Sequence, residues 1–236
     1  MIKLAERSYR KELLDNGQIP FDDIRRNMKE LNTINTWLGG HAITLAGVNT
    51  ILGKKPEKKE LHICEIGCGG GDNLQAIHRR LSSRKNIRFT GIDIKPECIS
   101  FARQQYPELP AQWICSDYQL ADLSQDPPDI IFSSLFCHHF TETELLLMLP
   151  WMYRNSRLGF FINDLHRHPL AYYSIRLITR LFSRSYLVKN DAPLSVARGF
   201  KKNEWENILQ QTGITSYNIQ WKWAFRHLIT VVKNDG

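Results

Sequence analysis

Apolar positions in the first fifty residues recur at helical spacing. Phe21, Ile24, Met28, Leu31, Ile34 and Leu38 fall three or four apart, giving one sticky stripe on a helix that Asp22 or Asp23 can cap and Gly39-Gly40 ends. A second helical stretch runs from His41 to Leu52 and stops at Gly53. Lys54 to Lys59 is a charged connector containing Pro56. Beyond it the period changes. Short apolar runs at 61–66, 87–92, 111–115, 130–135 and 159–162 read as strands, followed by a late pair at 216–223 and 228–232. Helical stretches lie at 73–84, 97–106, 142–155, 169–183 and 201–212. Such alternation predicts a parallel sheet with helices on both faces, because parallel strands need crossover connections. The short link between the last two runs predicts an antiparallel hairpin on the sheet edge.

Composition narrows this little. The 236 residues, 42% hydrophobic and 23% charged, suit a single globular domain of ordinary size. No apolar run reaches the ~18 residues of a membrane span. Met1 leads into Lys3, Glu6 and Arg7 rather than an apolar signal core, so a cytoplasmic protein is expected. Cysteines 64, 68, 98, 115 and 137 form no C-x-x-C pair and read as reduced thiols. The formal charge of +7 permits an acidic partner. The basic residues are dispersed, however, and no nucleic-acid motif accompanies them.

Chemistry concentrates in one stretch, Leu61-His62-Ile63-Cys64-Glu65-Ile66-Gly67-Cys68-Gly69-Gly70-Gly71-Asp72-Asn73. A buried strand ends in a carboxylate, breaks into glycines and resumes as a helix. Glycines leave room for a ligand to lie against the main chain. Their spacing with Asp at 72 does not meet the dinucleotide fingerprint G-x-G-x-x-G, which disfavours an NAD-dependent oxidoreductase, and no Gly-Lys-Ser/Thr of a P-loop follows. Glu65 and Asp72 flank the turn and favour a ligand carrying positive charge. The second strand ends in Asp93, an acceptor suited to the two hydroxyls of a ribose. The third ends in Asp117-Tyr118, an acceptor for an exocyclic amine beside a ring able to cover a base.

The pattern E-x-G-x-G-x-G resembles motif I of the class I S-adenosylmethionine-dependent methyltransferases, and the run of Glu, Asp and Asp at successive strand ends extends the resemblance across residues 61–233. The resemblance implies a doubly wound, mostly parallel seven-stranded α/β sheet with an antiparallel C-terminal hairpin. It implies S-adenosylmethionine as cofactor, with Gly67, Gly69 and the nearby backbone at its methionine part, Asp93 at the ribose, Asp117 and Tyr118 at the adenine, and Glu65, Cys68 and Ile94 among the cofactor-binding residues. The backbone around Ser133, at the end of the fourth strand, would also face it.

Methyl transfer from a sulfonium is an in-line displacement, and a base is needed only for an acceptor that carries a proton, such as a phenol. His138 and His139 follow the fourth strand; Asp164, His166 and His168 follow the fifth. His166 or His139 is the expected base, with Asp164 orienting it, and His138 reads as packing or hydrogen bonding. No further carboxylate or Cys lies at ligand spacing in the sequence, so no metal is expected. Residues 169–200 form a long insert, a place where related enzymes build the acceptor pocket. Its helix carries Leu170, Tyr173, Leu177, Ile178 and Leu181 on one side and Arg176, Arg180 and Arg184 on the other. The arginine row reads as a solvated face or as a dock for an acidic carrier protein or anionic surface. Residues 190–195 read as a loop returning to the active edge. The overall layout resembles bacterial methyltransferases of small aromatic or polyketide-like metabolites.

These readings predict an N-terminal helical cap over 1–58 and a methyltransferase domain over 59–236. The expected reaction is O-methylation of a phenol or enol. The alternatives are C- or N-methylation of a quinone-like or amine acceptor, and a non-catalytic protein that binds the same cofactor.

Overall fold

The computed structural model describes residues 4–15, 17, 19–53, 60–82 and 86–233. The connector at 54–59 lies outside them. Seven strands form one sheet: β1 (Leu61–Ile66), β2 (Ile87–Asp93), β3 (Ala111–Cys115), β4 (Ile130–Ser134), β5 (Gly159–Leu165), β6 (Asn218–Lys222) and β7 (Arg226–Val232). Their order is β3-β2-β1-β4-β5-β7-β6. The first five run parallel, while β7 pairs antiparallel with both β5 and β6. Strand order reverses between β1 and β4, the switch point beside which open α/β sheets bind ligands.

Eight helices surround the sheet: α1 (Phe21–Trp37), α2 (Gly40–Leu52), α3 (Asp72–Arg80), α4 (Pro96–Gln105), α5 (Glu142–Asn155), α6 (Pro169–Phe182), α7 (Tyr186–Arg198) and α8 (Lys202–Gln211). On one face, Leu145, Met148 and Met152 of α5 and Trp205 and Leu209 of α8 pack on Ile66, Ile131 and Ile162. On the other, Ile43, Val48 and Ile51 of α2 and Leu74 and Ile77 of α3 cover Ile63, Phe132 and Phe161. Both faces are therefore dry, which is why the parallel strands read as continuous apolar runs. The N-terminal region divides accordingly: α2 is built into the core, while α1 lays Ile24 and Met28 on Cys98 and Phe101 of α4.

Two local expectations are corrected. Pro20, not Asp22 or Asp23, occupies the N-cap of α1, and the two acids sit in the first turn, where their charge complements the helix dipole. Residues 190–195 are not a loop but the middle of α7. Ser185 caps that helix by accepting from the Val188 N–H. Pro193 is buried within it, so packing overrides the local preference of Asn-Asp-Ala-Pro for a turn. The apolar row of α6 is not covered by the rest of the described residues. Leu170, Tyr173, Leu177 and Leu181 face solvent, while Ala171, Tyr172 and Thr179 are buried, the first two against Val196 and Ala197 of α7.

Candidate active site

The glycine turn joins β1 to α3 at the C-terminal edge of the sheet. Gly67 and Gly71 both take left-handed angles, φ +66 and +78. A Cβ at Gly67 would lie 2.1 Å from the Phe136 ring, and one at Gly71 would lie 2.4 Å from Trp113. Neither conformation nor space admits a side chain, so the bare backbone lines the edge. Cys68 is buried beneath it, and its N–H donates to the Ile92 carbonyl at 3.1 Å.

Acids crowd this turn. Glu65 is fully buried; its Oε1 accepts from Asn73 Nδ2 at 2.8 Å. Its Oε2 has no hydrogen-bond partner among the described residues. Burial, and then the charges of Asp72 and Asp93, push the Glu65 carboxyl well above the usual carboxylate range. Asp72 is also raised by burial, although His41 lies 3.4 Å away. Asp93 accepts the Gly69 N–H on one oxygen and the Lys95 N–H on the other, each at 2.9 Å, which leaves lone pairs on both. Burial raises it as well. Arg226 is the buried cation nearby: its Nη2 donates to Asn35 Oδ1 at 3.0 Å, while its Nε and Nη1 find no partner among the described residues.

The remaining strand ends complete the edge. Ile94 is exposed and, with Asp15, Ile19, Ile24, Lys95 and Glu97, lines a cavity of about 410 Å³ next to Asp93. Asp117 caps a short 3-10 turn by accepting from the Gln119 N–H at 2.9 Å. Tyr118 is buried, with its ring edge-on to Trp151 and Phe140. Ser133 is buried beside Cys137, 3.3 Å from its sulfur. Leu135, just beyond β4, holds φ +54, an angle a branched side chain tolerates poorly and one that clusters at functional sites.

The structure re-pairs the histidines. Asp164 does not orient His166 or His139; it binds His138, accepting the His138 N–H at 2.9 Å and meeting Nδ1 at 2.7 Å. His138 lies in the short 3-10 turn after β4 and Asp164 near the end of the neighbouring β5, so their side chains meet at one edge. Glu12, from the N-terminal segment, reaches His138 Nε2 at 3.5 Å and His139 Nε2 at 3.8 Å. Asp15 meets His139 Nδ1 at 3.1 Å. Burial opposes the charge on His138, but the two flanking carboxylates override it and lift its pKa to about 9. Asp15, despite its own burial, is held down at about 2 by His139. Arg7 and Arg198 fasten the same turn, both donating to the His138 carbonyl, at 2.8 and 3.0 Å. Sequence reasoning missed Glu12, Asp15, Arg7 and Arg198, and the expectation that no carboxylate lies near these histidines is corrected by Glu12. Glu12, His138 and His139 together are dense enough in donors to hold a metal ion. Protons on the imidazoles satisfy the same acceptors.

His139 is only partly buried and borders a cavity of about 370 Å³ with Arg7, Tyr9, Lys11, Phe140 and Arg198. His166 lies elsewhere on the edge, against His227 at 4.7 Å and His168 at 5.8 Å between ring centres. Burial lowers its pKa.

A methyltransferase-domain family model matches residues 63–159, the segment running from β1 to the first residue of β5. The fold agrees over nearly the whole chain. Over residues 63–159 the chain is similar to the methyltransferase-domain family. The plantazolicin methyltransferase BpumL, solved with SAH, superposes with a TM-score of 0.64 at 21% identity, over 91% of this chain and 90% of that one. Human N-acetylserotonin methyltransferase, solved with SAM, gives 0.62 at 15% identity over 92% of this chain and 57% of that one. At these identities the likeness is one of fold. Among curated proteins, the malonyl-[acyl-carrier protein] O-methyltransferase of Anoxybacillus flavithermus is 30% identical over 95 residues, 40% of this chain and 35% of that protein. The one from Acetivibrio thermocellus is 32% identical over 79 residues, 34% and 27%. The chain thus matches about a third of the length of these relatives. No helix among the described residues is long and apolar enough to cross a membrane.

Proposed function

We propose that this protein transfers a methyl group from S-adenosylmethionine to the phenol or enol oxygen of a small molecule. One observation carries the cofactor part: Glu65 is buried with one oxygen unpartnered among the described residues, and the charges of Asp72 and Asp93 beside it add to burial in raising its carboxyl. Such a cluster of acids suits a ligand bearing a sulfonium and an ammonium, and it disfavours a pyrophosphate. The residues present fit that ligand. Glu65 and the backbone of Gly67 and Gly69 would hold its methionine end, and the free lone pairs of Asp93 would take the ribose hydroxyls. Ile94 and Asp117 would border the adenine. When bound, the cofactor supplies an electrophilic methyl group and its own leaving group.

The chain would contribute alignment and a proton acceptor. His139, rather than His166, is the better placed base: it borders a cavity, sits at the end of β4 and is oriented through Nδ1 by Asp15. His138 is unsuited to that role because its ring is shut away from solvent and held at 2.7 Å by Asp164, whereas the His139 ring is partly exposed and Glu12 stands 3.8 Å from its Nε2. Arg7 and Arg198, near the same cavity, would favour the phenolate form of the acceptor. Calorimetry with S-adenosylmethionine and NAD side by side tests the first part, since only the sulfonium compound should bind. Turnover of phenolic acceptors tests the second. His139→Ala should lower it on the order of 10²-fold with cofactor affinity intact, and unchanged turnover would remove His139 as base.

A further inference from the structure

The outward side of α6 is apolar where a globular protein would normally be polar. Leu170, Tyr173, Leu177 and Leu181, three or four residues apart, form an exposed stripe, and Phe182 at the helix end is 73% exposed. Arg176 and Arg180 are also exposed and flank this stripe, with Arg184 following. No acidic residue occurs anywhere between Asp164 and Asp191. Glu30, which approaches from α1, is engaged by the Arg184 and Ser185 N–H groups and the Ser183 hydroxyl.

A second element continues the surface. Leu165 pairs with Arg226, so the turn between β6 and β7 lies at the same sheet edge from which α6 departs. Phe225 in that turn stacks on His168, the N-cap of α6, at 4.9 Å between ring centres. Trp221 and Trp223 stand exposed beside it, and Trp223 is 71% accessible. Ala224 and Phe225 hold φ +59 and +55, angles usually left to Gly or Asn. Trp37 ends α1 72% exposed, two residues before Gly39, whose Cβ position lies 3.9 Å from Trp223.

We infer that the α6 stripe and the tryptophan-bearing turn form a docking face for an anionic lipid bilayer. Leucines on a helix lying in the interfacial plane enter the acyl boundary, tryptophans settle at headgroup depth, and arginines meet the phosphates. An acidic carrier protein would satisfy the arginines and leave the leucine row against water. A second copy of the chain, packed isologously on this face, would bring like-charged arginine rows together. Because the face borders the sheet edge that holds the glycine turn, docking would set the active edge beside the bilayer.

Flotation of the whole protein with vesicles tests this, using phosphatidylcholine alone and phosphatidylcholine mixed with phosphatidylglycerol. The wild type should float with the mixed vesicles and far less with the neutral ones. The double variant L177S/L181S should bind roughly tenfold less or weaker, from lost apolar insertion. R176Q and R180Q should each weaken binding about fivefold at low salt. Trp223→Ser, on a different element, should weaken it as well, so one poorly folded variant would not decide the matter; melting curves identify such a variant. Absence of wild-type flotation at low salt would overturn the proposal. So would flotation that L177S/L181S and Trp223→Ser leave unchanged, which would mean charge attraction alone. A dimer in solution that L177S/L181S dissolves, without vesicle binding, would assign the face to a second copy.

Discussion

Two groups of acids, each built around a buried carboxyl, lie along the same sheet edge and solve opposite problems. At the turn after β4, Glu12 and Asp164 close on His138 and Asp15 closes on His139, while Arg7 and Arg198 hold the turn's carbonyls. All three carboxyls are depressed there, each against the opposing effect of its own burial. At the glycine turn, Glu65, Asp72 and Asp93 are all raised, and one Glu65 oxygen has no partner. The first group is neutralised by the chain itself. In the second, His41 pairs with Asp72, but the free Glu65 oxygen has no partner among the described residues, and in the proposed function the cofactor's cation meets it. Loss of solvation acts on both, so the difference is in the counter-charge, and it separates a structural clamp from the proposed binding site.

The largest effect should come from breaking the clamp. His138→Ala would leave Glu12 and Asp164 buried without their cation and should destabilise the fold by ~3–5 kcal/mol in chemical denaturation. The wild-type pH dependence carries the same signature. His138 has its folded pKa raised to about 9 from an ordinary 6.5, so its contribution is full below 6.5 and is lost as pH rises through about 9. Asp15 has its pKa depressed from 3.8 to about 2, so its contribution is present above 3.8 and is lost as pH falls through about 2. A denaturation midpoint unchanged in His138→Ala would mean that the clamp is not coupled to folding.

Smaller effects belong to the glycine turn. Asp93→Ala should weaken S-adenosylmethionine binding by ~1–3 kcal/mol, the effect of leaving ribose hydroxyls unpaired. Unchanged affinity would place the ribose elsewhere. The smallest change in stability should come from Glu65→Gln. Raised carboxyls stabilise less as pH rises above the ordinary carboxylate range, so removing this one should leave the cofactor-free protein as stable or up to ~1 kcal/mol more stable near neutral pH. The same variant should bind the cofactor more weakly. Opposite signs in one variant would distinguish a binding carboxylate from a structural one.

Much of the architecture was legible in the chain. Strands buried on both faces read as apolar runs, and β1 falls where its run does; the partly buried edge strand β3 also falls at its predicted place. The helix α7 was hidden because Asn190, Asp191 and Pro193 favour a turn locally. Asp191 in fact accepts the Leu13 and Leu14 N–H groups, a contact made only after folding. The exposure of the α6 row could not be read because periodicity shows that a helix has an apolar side, not whether that side is covered. At the site, the glycine turn and Asp93 were readable because their neighbours are close in sequence. The pairing of Asp164 with His138 rather than His166 depends on strand adjacency, and Glu12 arrives from the far end of the chain. No local pattern carries either contact.

The central claim is that the glycine turn holds a surplus of negative charge matched to a cationic cofactor. Titration of the protein with S-adenosylmethionine near pH 6, in buffers of different ionisation enthalpy, counts the protons exchanged on binding. A cation entering beside raised carboxyls should drive protons off them, so the wild type should release protons and Glu65→Gln should release fewer. Binding with no proton release, or with proton uptake, would contradict it.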